Sequence, residues 1–308
     1  MATSSDNVPQ VSQAQLLAEA AEAVPTRQAS LWKDAWRRLI RNRLAVIGMV
    51  IVIVFVGTAL FAPLIAPYGE AEVVAPELKL TTPSWYFPMG IDQNGRDMFS
   101  RMVYGARVSL LVGVVAQLIV LAIGVPIGAI AGYFGGKVDN GLMRTVDVFY
   151  AIPQLLLVLL LVNALGPGMK NIFIAIGITG WVTMARLVRG VMLSNREQEY
   201  VKAARVAGAG SGYIIMRHML PNSLTPIVVA LTFGIPQAIF IEASLSFVGV
   251  GIRPPQPSWG QMVGTGQQYI QSVQHLMLFP CLAIGLTMLA FTFLGDGLRD
   301  ALDVRMND

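Results

Sequence analysis

Few residues in this sequence suit chemistry, and each has a restricted set of partners. Glu242 is the one carboxylate well inside an apolar run. Intramembrane acids mark ion or proton paths, but a lone acid can equally be hydrogen-bonded to a neighbouring helix, and both readings stand at this point. His218 and His275 fall near opposite ends of the apolar segments, so they cannot share a metal ion. No H-E-x-x-H motif occurs. A phosphate-binding loop needs G-x-x-x-x-G-K followed by Ser or Thr; Gly135-Gly136-Lys137 comes nearest and fails, because Ala131 and Val138 occupy the two remaining diagnostic positions. Cys281, the single cysteine, lies in an apolar stretch and reads as a small buried hydrophobe. The expectation is a chain without catalytic residues, bound metal or cofactor.

Another group of residues suits mechanical work. The stretch Glu199-Tyr200-Val201-Lys202-Ala203-Ala204-Arg205-Val206-Ala207 contains a strong helix former over Lys202–Ala207. Gly208 and Gly210 stop it. Ser211 is placed to cap a second short helix leading to Arg217, and Leu220-Pro221-Asn222 opens the next apolar run. The product is a compact helical knob, thin on one side at Ala203, Ala204 and Ala207, around which another protein's groove could close. From the residues alone, a solvated amphipathic loop competes with that reading.

Apolar residues make up 55% of the 308 residues and charged ones 13%. Soluble domains carry about 25% charge, so this chain cannot cover a soluble surface. A bilayer core of about 30 Å needs about 20 helical residues. Runs of suitable character predict six spans: Leu44–Ala66, Val108–Gly136, Val148–Leu165, Asn171–Ala185 (borrowing a turn past a snorkelling Arg186), Leu220–Phe247 and Gln274–Leu294. Five contain proline, which reads either as a kink or as a hinge.

With the amino terminus inside, 16 of the 22 Lys and Arg residues fall on inner segments, so both termini are expected in the cytoplasm. Trp32, Trp36, Leu39 and Ile40 share one helical face, with Lys33, Arg37, Arg38 and Arg41 elsewhere. This predicts a helix over residues 30–43, capped by Ser30, lying in the inner interface. Residues 1–29, polar and without an apolar core of the signal-peptide kind, read as a disordered cytoplasmic tail. The remaining boundaries are residues 44–107 for the first span and its outer loop, and 108–308 for a core containing the segment 199–222. Trp259 reads as an interfacial anchor in preference to a substrate contact.

The knob resembles the coupling motif of ABC importer permeases, Glu-Ala-Ala, three residues, Gly, nine residues, Ile-x-Leu-Pro. Ala203, Ala204, Gly208, Leu220 and Pro221 fall in register, whereas Lys202 replaces the glutamate and His218 the isoleucine. Tyr200 to Arg205 matches the Tyr-Val-x-Ala-Ala-Arg of the peptide-importer branch. Phe61-Ala62-Pro63-Leu64-Ile65-Ala66-Pro67-Tyr68, Met89-Gly90-Ile91-Asp92 with Gly95-Arg96-Asp97, Tyr104 to Leu110, Ala243 to Gly251, Pro257-Ser258-Trp259-Gly260 and Gly295 to Asp303 resemble the same branch. The chain is thereby similar to the C-type permease subunit of dipeptide/oligopeptide ABC importers.

That resemblance implies an all-α membrane protein with the type I ABC importer permease fold, in the inner membrane of a prokaryote. It implies as partners a B-type permease, two ABC ATPase subunits that carry the ATP and Mg, and an extracytoplasmic solute-binding protein. The substrate would be a peptide, although relatives in this branch take glutathione or nickel complexes. Coupling to the ATPases would fall to Tyr200, Lys202, Ala203, Ala204, Arg205, Gly208, Leu220 and Pro221. Tyr68 to Arg107 would pack beneath the solute-binding protein or the sister permease. A secondary transporter or channel working without an ATPase is the alternative; it predicts several intramembrane ionisable residues or an inverted repeat, and neither is visible.

Overall fold

The computed structural model describes residues 31–166 and 168–302, without the side chains of Leu31 and Trp32. The tail expected over 1–29, the Ser30 cap and the Trp32 portion of the first helical face lie outside that description. Among the described residues all named elements are helical, and the one extended pairing is an isolated antiparallel bridge between Ile91 and Asp97.

The chain starts with α1 (Leu31–Arg41) and α2 (Arg43–Leu60). Asn42 separates them: its Oδ1 accepts from the amides of Leu44 and Ala45 at 3.1 and 3.2 Å, an N-cap that starts α2 on a new axis. α1 turns Ala35 and Leu39 into the bundle and leaves Trp36, Ile40, Lys33, Arg37 and Arg41 exposed. The expected apolar face is therefore divided, with Leu39 inward and Trp36 and Ile40 outward.

The second span, α3 (Met98–Phe134), begins ten residues earlier than its charge-free run. Arg101 and Arg107 mark loop in a hydropathy reading. Instead Asp97 caps the helix through Ser100 N at 2.8 Å, and Arg101 is buried and paired, so its charge ends nothing.

The expected third span is corrected. α4 (Gly136–Tyr150) and α5 (Gln154–Leu165) form one broken path bent by 83°. Pro153 disfavours helical backbone at the residue before it and is itself extended (φ −54°, ψ 123°), so the helix stops and restarts. At 12 residues, α5 covers only about 18 Å.

The fourth span, α6 (Met169–Arg196), is also longer than expected. Arg186, expected to snorkel, has partners on α4. Its guanidinium meets Asp147 at 2.5 Å and lies 3.9 Å above the Tyr150 ring, both on α4. Arg189 grips Asp139 of α4 with two hydrogen bonds, at 2.5 and 2.6 Å.

A short arm, α7 (Glu199–Val206), leads towards α8 (Leu224–Phe247); a buried segment, α9 (Trp259–Gly266), and α10 (His275–Leu302) complete the described residues. α10 continues through Gly295 and Gly297 because these positions let it press against Phe233 and Ala45.

The central contact is α3 on α6. Gly124, Gly128 and Gly132 form a stripe on one face of α3, seated on Met184, Val188 and Met192 of α6. A Cβ at Gly124 would stand 2.8 Å from that of Met184, and one at Gly132 2.5 Å from that of Met192. Small residues at every fourth position allow two apolar helices to approach closely where no hydrophobic force between them exists. The register shows α3 and α6 running parallel. α1 and the start of α2 pack on the last turns of α10, so both ends of the described chain sit at one end of the bundle, together with α7.

Candidate functional site

Two features of the bundle have the geometry of function: an elbow at the end shared by the described chain's first and last residues, and a cavity behind it. The elbow begins with α7, whose N-cap Gln198 is extended (φ −72°, ψ 149°). It ends at Gly208, φ +81°. The Gly208 amide donates to Arg205 O and the Ala209 amide to Ala204 O, each at 3.0 Å. This is the paired closure of a Schellman motif, with Ala204 and Ala209 in apolar register. A Cβ at Gly208 would meet nothing within 4 Å, so the left-handed backbone alone calls for glycine.

The return arm runs from Ser211 through a π-helical turn, Ile214–Met219, to Asn222. The expected Ser211 cap is not formed. Gly210 holds the cap position, extended at φ −67° and ψ 151°, and Ser211 is already helical, so its hydroxyl makes no capping bond. Asn195 Nδ2 donates to Ser223 Oγ at 3.0 Å, and Ser223 Oγ donates to Met219 O at 2.8 Å, which ties the end of α6 to the start of α8.

Val201, Ile214 and Met219 are fully buried and fix both arms to the bundle against Tyr133, Val188 and Met192. The residues expected to couple divide into two sets. Tyr200, Lys202, Ala203, Gly208 and Pro221 are exposed. Arg205 is exposed too, with its guanidinium 5.2 Å from the Tyr133 ring. Ala204 and Leu220 are half-buried and face the bundle, so the thin side of the knob comprises Ala203 and Ala207 without Ala204. Lys202 Nζ lies 4.0 Å from Glu197 Oε2 with both groups exposed, a pair worth little.

The outward surface carries residues that the sequence reading passed over. Val206 is 90% exposed and Met216 68%, with Tyr213 beside them in exposure class. The signal was present: Val206 stands five residues after buried Val201, about 140° round a helix of 3.6 residues per turn, so it must face away from the core.

The opposite end of the bundle is closed by buried polar contacts. Asp92 Oδ1 accepts from the amides of Asn94 and Arg96 at 2.7 and 2.9 Å, and its Oδ2 lies 3.4 Å from Arg101 Nε. Arg101 also donates to Gln261 Oε1 at 3.0 Å. Glu242 is fully buried, and its Oε1 accepts from the hydroxyls of Ser246 and Ser258, both at 2.8 Å. Ser258 Oγ caps α9 through Gln261 N at 3.0 Å. Glu242 thus ties α8 to α9. Trp259 is a correction: it is 1% exposed, its amide donating to Ser109 Oγ at 3.0 Å and its indole to Met102 O at 3.1 Å. A side chain with both donors satisfied inside the bundle is a packing bolt and not a membrane-interface anchor.

Between the two ends lies a cavity of about 820 Å³, bounded by α3, α5, α6, α8 and the last turns of α10. Gln117, Thr183 and Gln237 sit near the midpoints of α3, α6 and α8, and Gln154 opens α5 at its bend. Thr183 and Gln237 are exposed. A polar side chain open at mid-span is tolerated where it lines water or meets protein, not where it meets lipid. The sequence reading named none of these residues, although glutamines inside otherwise apolar runs were the visible signal. Among the described residues, no three His, Cys, Asp or Glu side chains gather as a metal site.

Comparison with known proteins follows the same lines. The family described as "Binding-protein-dependent transport system inner membrane component" matches residues 124–308, and the "N-terminal TM domain of oligopeptide transport permease C" matches residues 30–83. The chain is 44% identical over 287 residues to the dipeptide transport system permease protein DppC of Bacillus subtilis (strain 168), covering 93% of this chain and 89% of that one. It is 40% identical over 288 residues to the oligopeptide transport system permease protein OppC of the same organism, covering 93% of each. The glutathione transport system permease protein GsiD of Pectobacterium atrosepticum is 39% identical over 275 residues, covering 89% of this chain and 91% of that one. In three dimensions the chain resembles a subunit of the MetNI methionine ABC transporter in an inward-facing conformation, with TM-score 0.56 and 22% identity, covering 67% of this chain and 97% of that one; this likeness concerns the fold.

Proposed function

The chain belongs to the family of binding-protein-dependent transport system inner membrane components, and from that premise we propose that it is a permease subunit of an ATP-driven importer of dipeptides or oligopeptides. The observation that carries the reading is the elbow: an apolar tip at Val206 and Met216, held to the spanning helices by three fully buried side chains. A lever needs a rigid root and an accessible end, and this segment has both.

In this reading the elbow faces the cytoplasm, as do both termini, and seats in a groove of a separate ATPase subunit. Tyr200, Lys202, Ala203, Arg205, Gly208 and Pro221 frame the apolar tip, while Ala204 and Leu220 hold it in place. The protein lies in the bacterial inner membrane, with α1 along the inner interface through Trp36, Ile40, Lys33, Arg37 and Arg41. A second, B-type permease completes the path, and an extracytoplasmic solute-binding protein delivers the peptide over the opposite end. This chain holds no catalytic residue and no cofactor; ATP and Mg are bound by the ATPases. ATP acts by favouring one of two arrangements of the helices, through differential binding to the assembly in each.

The test is reconstitution. Vesicles containing this chain, its sister permease, the ATPases and the binding protein are expected to accumulate a labelled dipeptide with ATP and not without it. Accumulation by this chain alone on an ion gradient would overturn the reading in favour of a secondary transporter.

A further inference from the structure

The cavity carries an arrangement that its place on a transport path does not by itself require. Three glutamines, Gln117, Gln154 and Gln237, line it together with Thr183 and Thr225, and Arg299 is the one charged side chain among the described residues that line it. Among the described residues, no carboxylate and no lysine lines it.

One of the glutamines is seated by a glycine, and a second lies beside one. Gln117 Nε2 donates to Gly234 O at 2.9 Å, and a Cβ at Gly234 would stand 2.5 Å from the Gln117 amide carbon. Gln154 Nε2 lies 3.7 Å from where a Cβ of Gly180 would be. The bond to Gly234 uses one of the two N–H donors of Gln117 and leaves the other, with the carbonyl oxygen, for a ligand. Gln237, about one turn beyond Gly234 on α8, is exposed.

A primary amide has the same donor and acceptor as a peptide unit, and every non-proline residue of a peptide offers one N–H and one C=O. A wall of neutral amides therefore exchanges hydrogen bonds with the part that all peptides share. Fixed charges would instead hold or repel substrates according to side-chain charge. We propose that Gln117, Gln154 and Gln237 form a subsite for the peptide main chain, which lets one path accept peptides of differing side chains. This inference rests on the permease reading and adds to it the chemistry by which the path recognises its cargo.

The test uses the complete reconstituted transporter. Gln237→Leu changes an exposed side chain and is expected to lower the peptides imported per ATP hydrolysed by roughly five- to tenfold, the factor associated with one lost hydrogen bond. The reduction should be equal for trialanine and for tripeptides carrying a central lysine or aspartate, and Gln237→Asn should restore part of it. In a Cys281→Ala background, Gln237→Cys should react with a water-soluble maleimide and be protected by excess trialanine. An unchanged ratio, a loss that depends on the side chain, or a Gln237→Cys that is unreactive or unprotected overturns the subsite. Wild-type vesicles that import no peptide strike the permease reading itself, and the subsite falls with it; normal wild-type import with unaffected variants strikes the subsite alone.

Discussion

At one end of the bundle, Asp92, Arg101, Gln261, Glu242, Ser246 and Ser258 are withdrawn from solvent and bound to one another across α3, α8 and α9. At the elbow end, Val206, Tyr213 and Met216 stand exposed, and the hydrogen bonds that shape the arm are local ones within α7 and its closing turn. The polar groups are where a globular protein would bury carbon, and the carbon is where it would place charge. Buried polar contacts specify one arrangement and are costly to break; exposed apolar groups await a partner. One end of the bundle is fixed by its own side chains, and the other leaves apolar side chains exposed, which is where the proposed coupling contact falls.

Substitutions can break or sharpen that contrast. The largest loss of stability is expected for Arg101→Met, which leaves Asp92 Oδ2 and Gln261 Oε1 without their shared cation; removing one partner of a buried pair costs about 3–5 kcal/mol. Thermal unfolding of the purified chain in detergent reads this directly, and an unchanged midpoint would mean that the closed end owes little to the pair. Glu242→Leu should cost less, about 1–3 kcal/mol, since the Ser246 and Ser258 hydroxyls lose their acceptor. The same unfolding assay applies, and retention of transport by a folded Glu242→Leu protein would exclude a proton-carrying role.

Gly208→Val acts at the other end and should remain local. Forcing a β-branched residue to φ +81° costs about 1–2 kcal/mol. Faster hydrogen exchange at the Gly208 and Ala209 amides, with an unfolding midpoint lowered less than by Arg101→Met, is the expected result. The smallest effect on stability belongs to Val206→Asp, within about 0.5 kcal/mol for a position so exposed. Yet its ATP-driven uptake should fall at least tenfold, measured alongside co-purification of the ATPases. Full uptake from Val206→Asp would show that the exposed tip is not the coupling contact.

Much of the fold could be read from local pattern. The all-helical class, the five long apolar helices and the helix ahead of the first of them follow from apolar runs and basic flanks. The closing turn at Gly208 was legible because a helix former followed by glycine has few endings. The bend at Pro153 was only half legible: the proline was visible, but not that Asp139 and Asp147 on the preceding helix find Arg189 and Arg186 to hold the angle. Within the elbow, the outward turn of Val206 followed from helical phase and needed only to be counted, whereas the inward turn of Ala204 depended on where the core lay.

The sequence by itself determined the helical class, which runs are long and apolar enough to cross a bilayer in five cases, and which segment forms a compact arm, because those outcomes depend on hydrogen bonds and apolar surface within a few residues. Only the tertiary structure decided that Arg101 is buried, that Trp259 is a bolt and that Gln117 meets Gly234 across 117 residues of chain. In lipid the helices gain nothing from hiding carbon against carbon, so their register is chosen by glycine clefts and by polar groups that must find partners. Those choices exist only once the helices lie side by side.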